Sequence, residues 1–192
     1  MKENKLKWYV ADKEYVNYLR TFDNKVENID YNNKLKPYIG ILIEIDKFNY
    51  YVPISSSKEK HYKMSDSIDF IKIMQDEKII GVLNLNNMIP INDENVKQLK
   101  YKEIDEYRNF KDEKEKRLYI SFLNFELSLI NKKMEKIKHN ARELYDEKIN
   151  NPKSRISKRC CNFTLLEEKC RKYKRNWRFE LKYCVKDFVI VK

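Results

Sequence analysis

Apolar residues in the first half of the chain fall into short runs separated by polar stretches. LKWYV (6–10) reads as a first strand. Tyr15, Tyr18, Leu19 and Phe22 then recur at helical spacing behind Asp12, which predicts a short capped helix over DKEYVNYLRTF. A polar stretch, DNKVENIDYNNKLK, leads into YIGILIEI (38–45), whose continuous apolar run with β-branched residues marks a strand. Asp46-Lys47-Phe48-Asn49 predicts a hairpin turn into YYVPI (50–54). SIDFIKIM (67–74) and KIIGVLNL (78–85) are two further strands, and MIPIN (88–92) an extended piece.

From there the period changes. ENVKQLKYKEIDEYRNF predicts a helix, and residues 117 to 148 a long one. In the long segment Tyr119, Leu123, Leu127, Ile130, Met134, Ile137, Ala141 and Leu144 step by three or four along one face. NNPKSRISKR is a basic, Pro-broken loop. In NFTLLEEKCRKY, Thr164 and Glu167 have capping-box spacing for another helix, and WRFELKYCVKDFVIVK alternates as one or two strands. Strands early and helices late predict a single α+β domain over 1–192. Its centre is a small, strongly curved antiparallel sheet or barrel, elaborated by helices that include one long helix.

Charge changes the picture more than composition does. The formal net charge is +11, and residues 151–192 hold 13 Lys and Arg against 4 Asp and Glu, leaving 28 against 26 elsewhere. A basic excess concentrated in one segment favours a polyanionic partner, and compositional bias alone would spread it more evenly. Gly40 and Gly81 are the only glycines, which excludes Gly-rich phosphate loops. MKENKLKWYVADKE lacks the apolar core of a secretion signal, and no apolar run approaches the ~18 residues of a membrane span. Cys160, Cys161, Cys170 and Cys184 lack metal-ligand spacing and fit reduced, partly buried thiols of a cytoplasmic protein.

Candidate chemistry is sparse. His61 and His139 are the only histidines, and His139 lies beside the inner stripe of the long helix, where packing or plain exposure accounts for it. No carboxylate spacing matches a zinc protease, a calcium loop or a two-metal nuclease, so no metal site or cofactor is expected. EIDK (44–47) reads better as a strand end with its turn than as a nuclease motif. Ser55, Ser56 and Ser57 lack the glycines of a hydrolase elbow. What remains is a loop after a strand that collects Ser55, Ser56, Lys58, Lys60 and His61. Hydroxyls and ammonium groups bind phosphate, so this loop is either a phosphate grip or a solvated polar turn.

A family resemblance bears on that choice. CNFTLLEEKCRKY (161–173) resembles the Cys-Asn-Phe-Ser-Leu-Leu-Glu-Glu-Lys-Tyr signature of ToxN and AbiQ, toxins of type III toxin–antitoxin systems. WYVADKEYVNYLRTFDNKV is similar to that family's N-terminus, KPYIGILIEI to its central strand, YVPISSSKEKH to the loop after it, and GVLNLNNMIPI (81–91) to a later segment. The matches run in order from residue 6 to 173; residues 176–192 read as a possible C-terminal extension. The resemblance implies a small SH3-like barrel akin to the MazF and Kid toxins. It implies a metal-independent endoribonuclease that cuts cellular or phage transcripts and its own repeat-RNA precursor. The precursor yields a pseudoknotted RNA antitoxin that inhibits the toxin in a closed toxin–RNA hetero-oligomer, in defence against phage.

Carried over by position, the family's serine falls on Ser56, preceded by Ser55. Its loop lysine is Lys58, the lysine ahead of the central strand Lys36, and its helix tyrosine Tyr15. Ser57 stands where a relative can have Pro, and Cys170 where the family usually has Tyr. On this reading Lys36 is a stronger candidate base than His61, and Tyr38 is a stacking platform for bases beside Lys60 and His61. Lys153, Arg155, Lys158, Arg159, Arg171, Lys172, Lys174 and Arg175 would track antitoxin phosphates. The rival readings are a non-catalytic RNA- or DNA-binding regulator and, more weakly, a membrane-surface protein, for which no basic amphipathic face is evident.

Overall fold

The strand that organises the molecule runs Phe48–Ser56 (β4). In a computed structural model that describes residues 5–28 and 36–174, it touches four other strands, all antiparallel. Asn49–Tyr51 pair with Ile89–Ile91 (β7), and the same end closes a hairpin on Glu44–Ile45 (β3). Val52 and Pro53 pair with Tyr38–Gly40 (β2), and Ile54–Ser56 with Lys78–Asn84 (β6). A strand that changes partners along its length makes the corner of a bent sheet. Pro53 is accommodated where β4 passes from one set of partners to the next. The main path continues from β6 to Phe70–Gln75 (β5), and from β2 through Lys7–Ala11 (β1) to Val96–Gln98 (β8). Among the described residues that path is open, ending at β5 and β8.

The α+β architecture with an antiparallel sheet is as expected; the hairpin turn is shorter than expected, Asp46-Lys47 alone with Asp46 at φ 53°, because Phe48 and Asn49 already pair with β3. YIGILIEI is two strands rather than one, because residues 41–43 leave the ladder between β2 and β3. Gly40 is required there by close approach: a Cβ would run into the Tyr51 ring.

Helix Lys13–Arg20 (α1) starts where the sequence places it, with Asp12 accepting from the Tyr15 N–H at 2.8 Å. Three helical expectations are corrected. Over ENVKQLKYKEIDEYRNF the chain instead forms strand β8 between two 3-10 turns, Asp93–Asn95 and Tyr101–Glu106. Pairing of Val96–Gln98 with β1 overrides the local helical pattern there. The long helix is two, Glu113–Lys132 (α3) and Met134–Asn150 (α4). They break at Lys133, whose ammonium donates to the carbonyl of Lys72 in β5 at 2.9 Å. Phe163–Lys172 (α5) is capped by Asn162, which accepts from the Leu165 N–H at 3.3 Å, not by Thr164. Glu167 instead accepts from the hydroxyls of Tyr50 (2.7 Å) and Tyr145 (2.9 Å), joining α5 to β4 and α4.

One core lies between the sheet and helices α1, α3, α4 and α5, and it includes Trp8, Tyr50, Ile137 and Phe163. A second, small cluster of Phe70, Ile79 and Val82 lies along β5 and β6. Cys160, Cys161 and Cys170 are buried free thiols. Cys184, Arg175 and the expected strands of 176–192 lie outside the described residues.

Candidate active-site cleft

β4 ends at Ser56 on the wall of a cleft of about 650 Å³. The strand is buried through Val52 and Pro53 and becomes exposed only at Ser56, so its terminal hydroxyls emerge from a rigid support. The chain then turns into the one-turn helix Glu59–Tyr62 (α2). His61 locks that turn. Its Nδ1 accepts from the Lys58 backbone N–H at 3.0 Å, while the His61 backbone N–H donates to the Lys58 carbonyl at 2.8 Å. The ring is buried and tilted on Phe70 at 5.5 Å. Burial, with Lys60 and Lys58 nearby, pushes the imidazole pKa below its ordinary value. A neutral ring whose Nδ1 is already engaged is a support for the loop.

On the adjoining wall, beside Ser55, Lys36 forms an ion pair with Glu27. The same carboxylate accepts from Asn87 Nδ2 at 2.7 Å and from the Ser55 hydroxyl at 3.5 Å. Glu27 thereby ties the Lys36 segment, the end of β4 and the turn Leu85–Asn87 into one arrangement. An ammonium held against a carboxylate suits a group that presents charge to phosphate better than one that accepts a proton.

The third wall is α3. Tyr119, Phe122, Leu123 and Glu126 line the cleft, and Phe122 is 43% exposed. The Arg108 guanidinium lies 4.1 Å over the Tyr119 ring and donates to Glu115 at 2.9 Å. Glu126 is 4% exposed, and burial raises its carboxyl pKa to about 7.

Ser55, Ser56, Lys58, Lys60, His61 and Lys36 therefore meet in one cleft, although Lys36 is far from the others in sequence. Two expected residues lie elsewhere. Tyr15 is fully buried, and its hydroxyl donates to the Pro90 carbonyl at 2.7 Å, so it supports β7 from within the core. Tyr38 is also buried, in β2, where its ring cannot meet a base. The basic candidates Lys153, Arg155, Lys158, Arg159, Arg171, Lys172 and Lys174 are exposed but do not line the cleft. Arg159 pairs with Asp69 at 2.8 Å, Arg171 lies 4.9 Å over Phe48, and Lys172 pairs with Glu168 at 2.7 Å.

The chain matches the family described as "Toxin ToxN, type III toxin-antitoxin system" over residues 7–171. It belongs to the ToxN family. It is 30% identical to the endoribonuclease ToxN of Bacillus thuringiensis subsp. kurstaki, across 88% of this chain and 84% of that one. It is also 30% identical to the endoribonuclease ToxN of Pectobacterium atrosepticum (88% and 94%). The endoribonuclease AbiQ of Lactococcus lactis subsp. lactis is 27% identical (91% and 93%). Two solved structures share the ToxN-family fold. One, from work on selective toxin inhibition by a non-coding RNA pseudoknot, has TM-score 0.72 and 29% identity, covering 90% of this chain and 99% of that one. The other, AbiQ, an anti-phage endoribonuclease, has TM-score 0.72 and 26% identity, covering 88% and 98%.

Sequence reasoning missed Glu27, Asn87, Arg108 and Glu126. Only Glu126 left a signal. It stands three residues after Leu123 and four before Ile130, a carboxylate on the apolar stripe of a ToxN-family helix.

Proposed function

We propose that this chain is the endoribonuclease toxin of a type III toxin–antitoxin system, cutting RNA without a metal. The observation that carries the reading is the convergence of Ser55, Ser56, Lys36 and Lys58 on one cleft at the end of β4. RNA brings its own nucleophile: the 2′-hydroxyl attacks the adjacent phosphate, leaving a 2′,3′-cyclic phosphate and a 5′-hydroxyl. The protein has to hold the attack in line and stabilise charge on the phosphorane. The Ser55 and Ser56 hydroxyls donate to non-bridging oxygens, and the Lys36 and Lys58 ammonium groups neutralise them. Phe122, exposed on the cleft, offers a ring face for an unpaired base in place of Tyr38.

The proposal extends to partners. A pseudoknotted repeat RNA, cut from its precursor by the same cleft, inhibits the toxin in a closed hetero-oligomer. The exposed cations of residues 153–174 are the surface that fits it. Kinship with the MazF and Kid barrels belongs to the same reading, supported by the partner-switching β4, as does action on transcripts in the cytoplasm. Among the described residues no helix is long and apolar enough to cross a membrane.

The expected result is cleavage of single-stranded RNA in excess EDTA, with cyclic-phosphate ends. Ser56→Ala or Lys36→Ala should slow it about 100-fold or more while the thermal unfolding transition persists. Cleavage lost to the chelator and restored by Mg²⁺ overturns the mechanism. Binding of RNA without cleavage would favour a regulator.

A further inference from the structure

Gly81 and Ser56 are direct partners on the β4–β6 ladder. Side chains of such partners project from the same face with Cβ atoms about 5 Å apart. Gly81 has no side chain, and the space beside Ser56 is filled from above by a carboxyl. A Cβ placed on Gly81 would lie 2.5 Å from Glu126 Oε1 and 3.0 Å from Ile54 Cδ1. Gly81 has no positive φ to explain it, so what it provides is room. That room brings a side chain of α3 down onto the rung that carries the candidate phosphate-binding serine.

We propose that Glu126 is a further catalytic residue of this cleft, whose carboxylate takes the proton from the attacking 2′-hydroxyl. The inference rests on the nuclease reading and supplies the base which that reading leaves open. His61 has its Nδ1 committed to the Lys58 N–H, and Lys36 is paired with Glu27. Glu126 has neither restriction: burial alone sets its state, and it titrates in the neutral range, where a base is most effective. The other titratable and charged groups of the cleft are Lys58, Lys60 and His61 around α2, Lys36 and Glu27 beside Ser55, and Arg108 with Tyr119 beside α3. Arg108 is engaged by Glu115 and the Tyr119 ring, which keeps it from pairing with Glu126.

In the step itself, the bond from the 2′-oxygen to phosphorus forms as the bond from phosphorus to the 5′-oxygen breaks. The 2′ proton passes to Glu126, and the departing 5′-oxygen takes a proton from the Lys36 ammonium. Glu126 then releases its proton to water and Lys36 regains one from water, so the enzyme ends as it began.

Single-turnover cleavage of a labelled single-stranded transcript by the full chain, followed across pH, tests this. The wild-type rate should rise about tenfold per pH unit below about pH 7 and level off above it. Glu126→Gln should cut at least ~100-fold more slowly without that rising limb. Its affinity for the same RNA bearing a 2′-deoxy linkage at the scissile position should be unchanged. Glu126→Ala should recover part of its rate when formate is added. A Gln variant with the wild-type rate and profile, a loss confined to binding, or no rescue by formate overturns the role of Glu126. A wild-type chain that cuts no RNA at any pH instead overturns the nuclease reading, and this role falls with it.

Discussion

Glu126 sits on the sheet-facing side of α3 beside Leu123 and Ile130, at a position an apolar residue would fill at less electrostatic cost. Burial raises its carboxyl from the ordinary 4.5 to about 7, which has a consequence for stability separate from catalysis. Below about pH 4.5 the group is neutral in both folded and unfolded chains. Between 4.5 and 7 the folded state binds the extra proton, so stability falls as pH rises and the difference is fully lost above about 7. Glutamine carries no charge at any pH. Glu126→Gln should therefore gain on the wild type by up to about 3 kcal/mol between pH 4.5 and pH 8. Thermal melts of the two proteins at both pH values check this, and a constant offset would contradict it. A residue that lowers stability at neutral pH and lines the proposed site is where a cost to folding is expected to be balanced by function.

At the scale of elements, the cleft is held by a few polar ties, some local and some between separate elements. Glu27 links the Lys36 segment to Ser55 and Asn87, and His61 folds α2 back on Lys58. Glu167 fixes α5 to both β4 and α4 through Tyr50 and Tyr145. Glu167→Ala would leave two partly or fully buried hydroxyls without their acceptor, each costing about 1–3 kcal/mol. Denaturant unfolding should show a loss of about 2–6 kcal/mol, and a loss below about 1 kcal/mol would mean that water replaces the carboxylate. The element scale is also where local pattern was overruled. Helical periodicity runs through Lys133 without interruption, yet the helix breaks where that lysine reaches across to β5. The stretch ENVKQLKYKEIDEYRNF reads as a helix but contributes β8, because hydrogen bonds to β1 outweigh a modest local propensity.

At the scale of the whole molecule, two groups of basic residues among the described ones bear on RNA. One is in the cleft, with Lys36, Lys58, Lys60 and Arg108; the other is on the exposed surface of residues 153–174, where Arg171, Lys172 and Lys174 lie together along the end of α5. The first suits a scissile phosphate and the second a longer RNA. If the antitoxin RNA is bound through the second, replacing Arg171, Lys172 and Lys174 with Gln should flatten the slope of log affinity against log salt. Each lost single-strand phosphate contact should lower it by about 0.7. Cleavage of a short RNA should be little affected. Titrations of a repeat RNA at several salt concentrations, with an unchanged slope as the contrary result, decide it.

Much of this was legible in the sequence. The strands at β1, β4, β5 and β6, the Asp12 cap, the turn at Asp46-Lys47 and the grouping of Ser55, Ser56, Lys58 and His61 follow from local rules, because each depends on neighbours within a few residues. The family followed from motifs preserved in order along the chain. Tertiary structure alone decided that Tyr15 and Tyr38 are buried and away from the cleft, since exposure depends on what packs from elsewhere. It also decided that Glu27 holds Lys36, and that Gly81 makes space for Glu126 beside Ser56. Those meetings lie beyond the reach of helix or strand periodicity, and no local pattern records a contact that exists only in the folded chain.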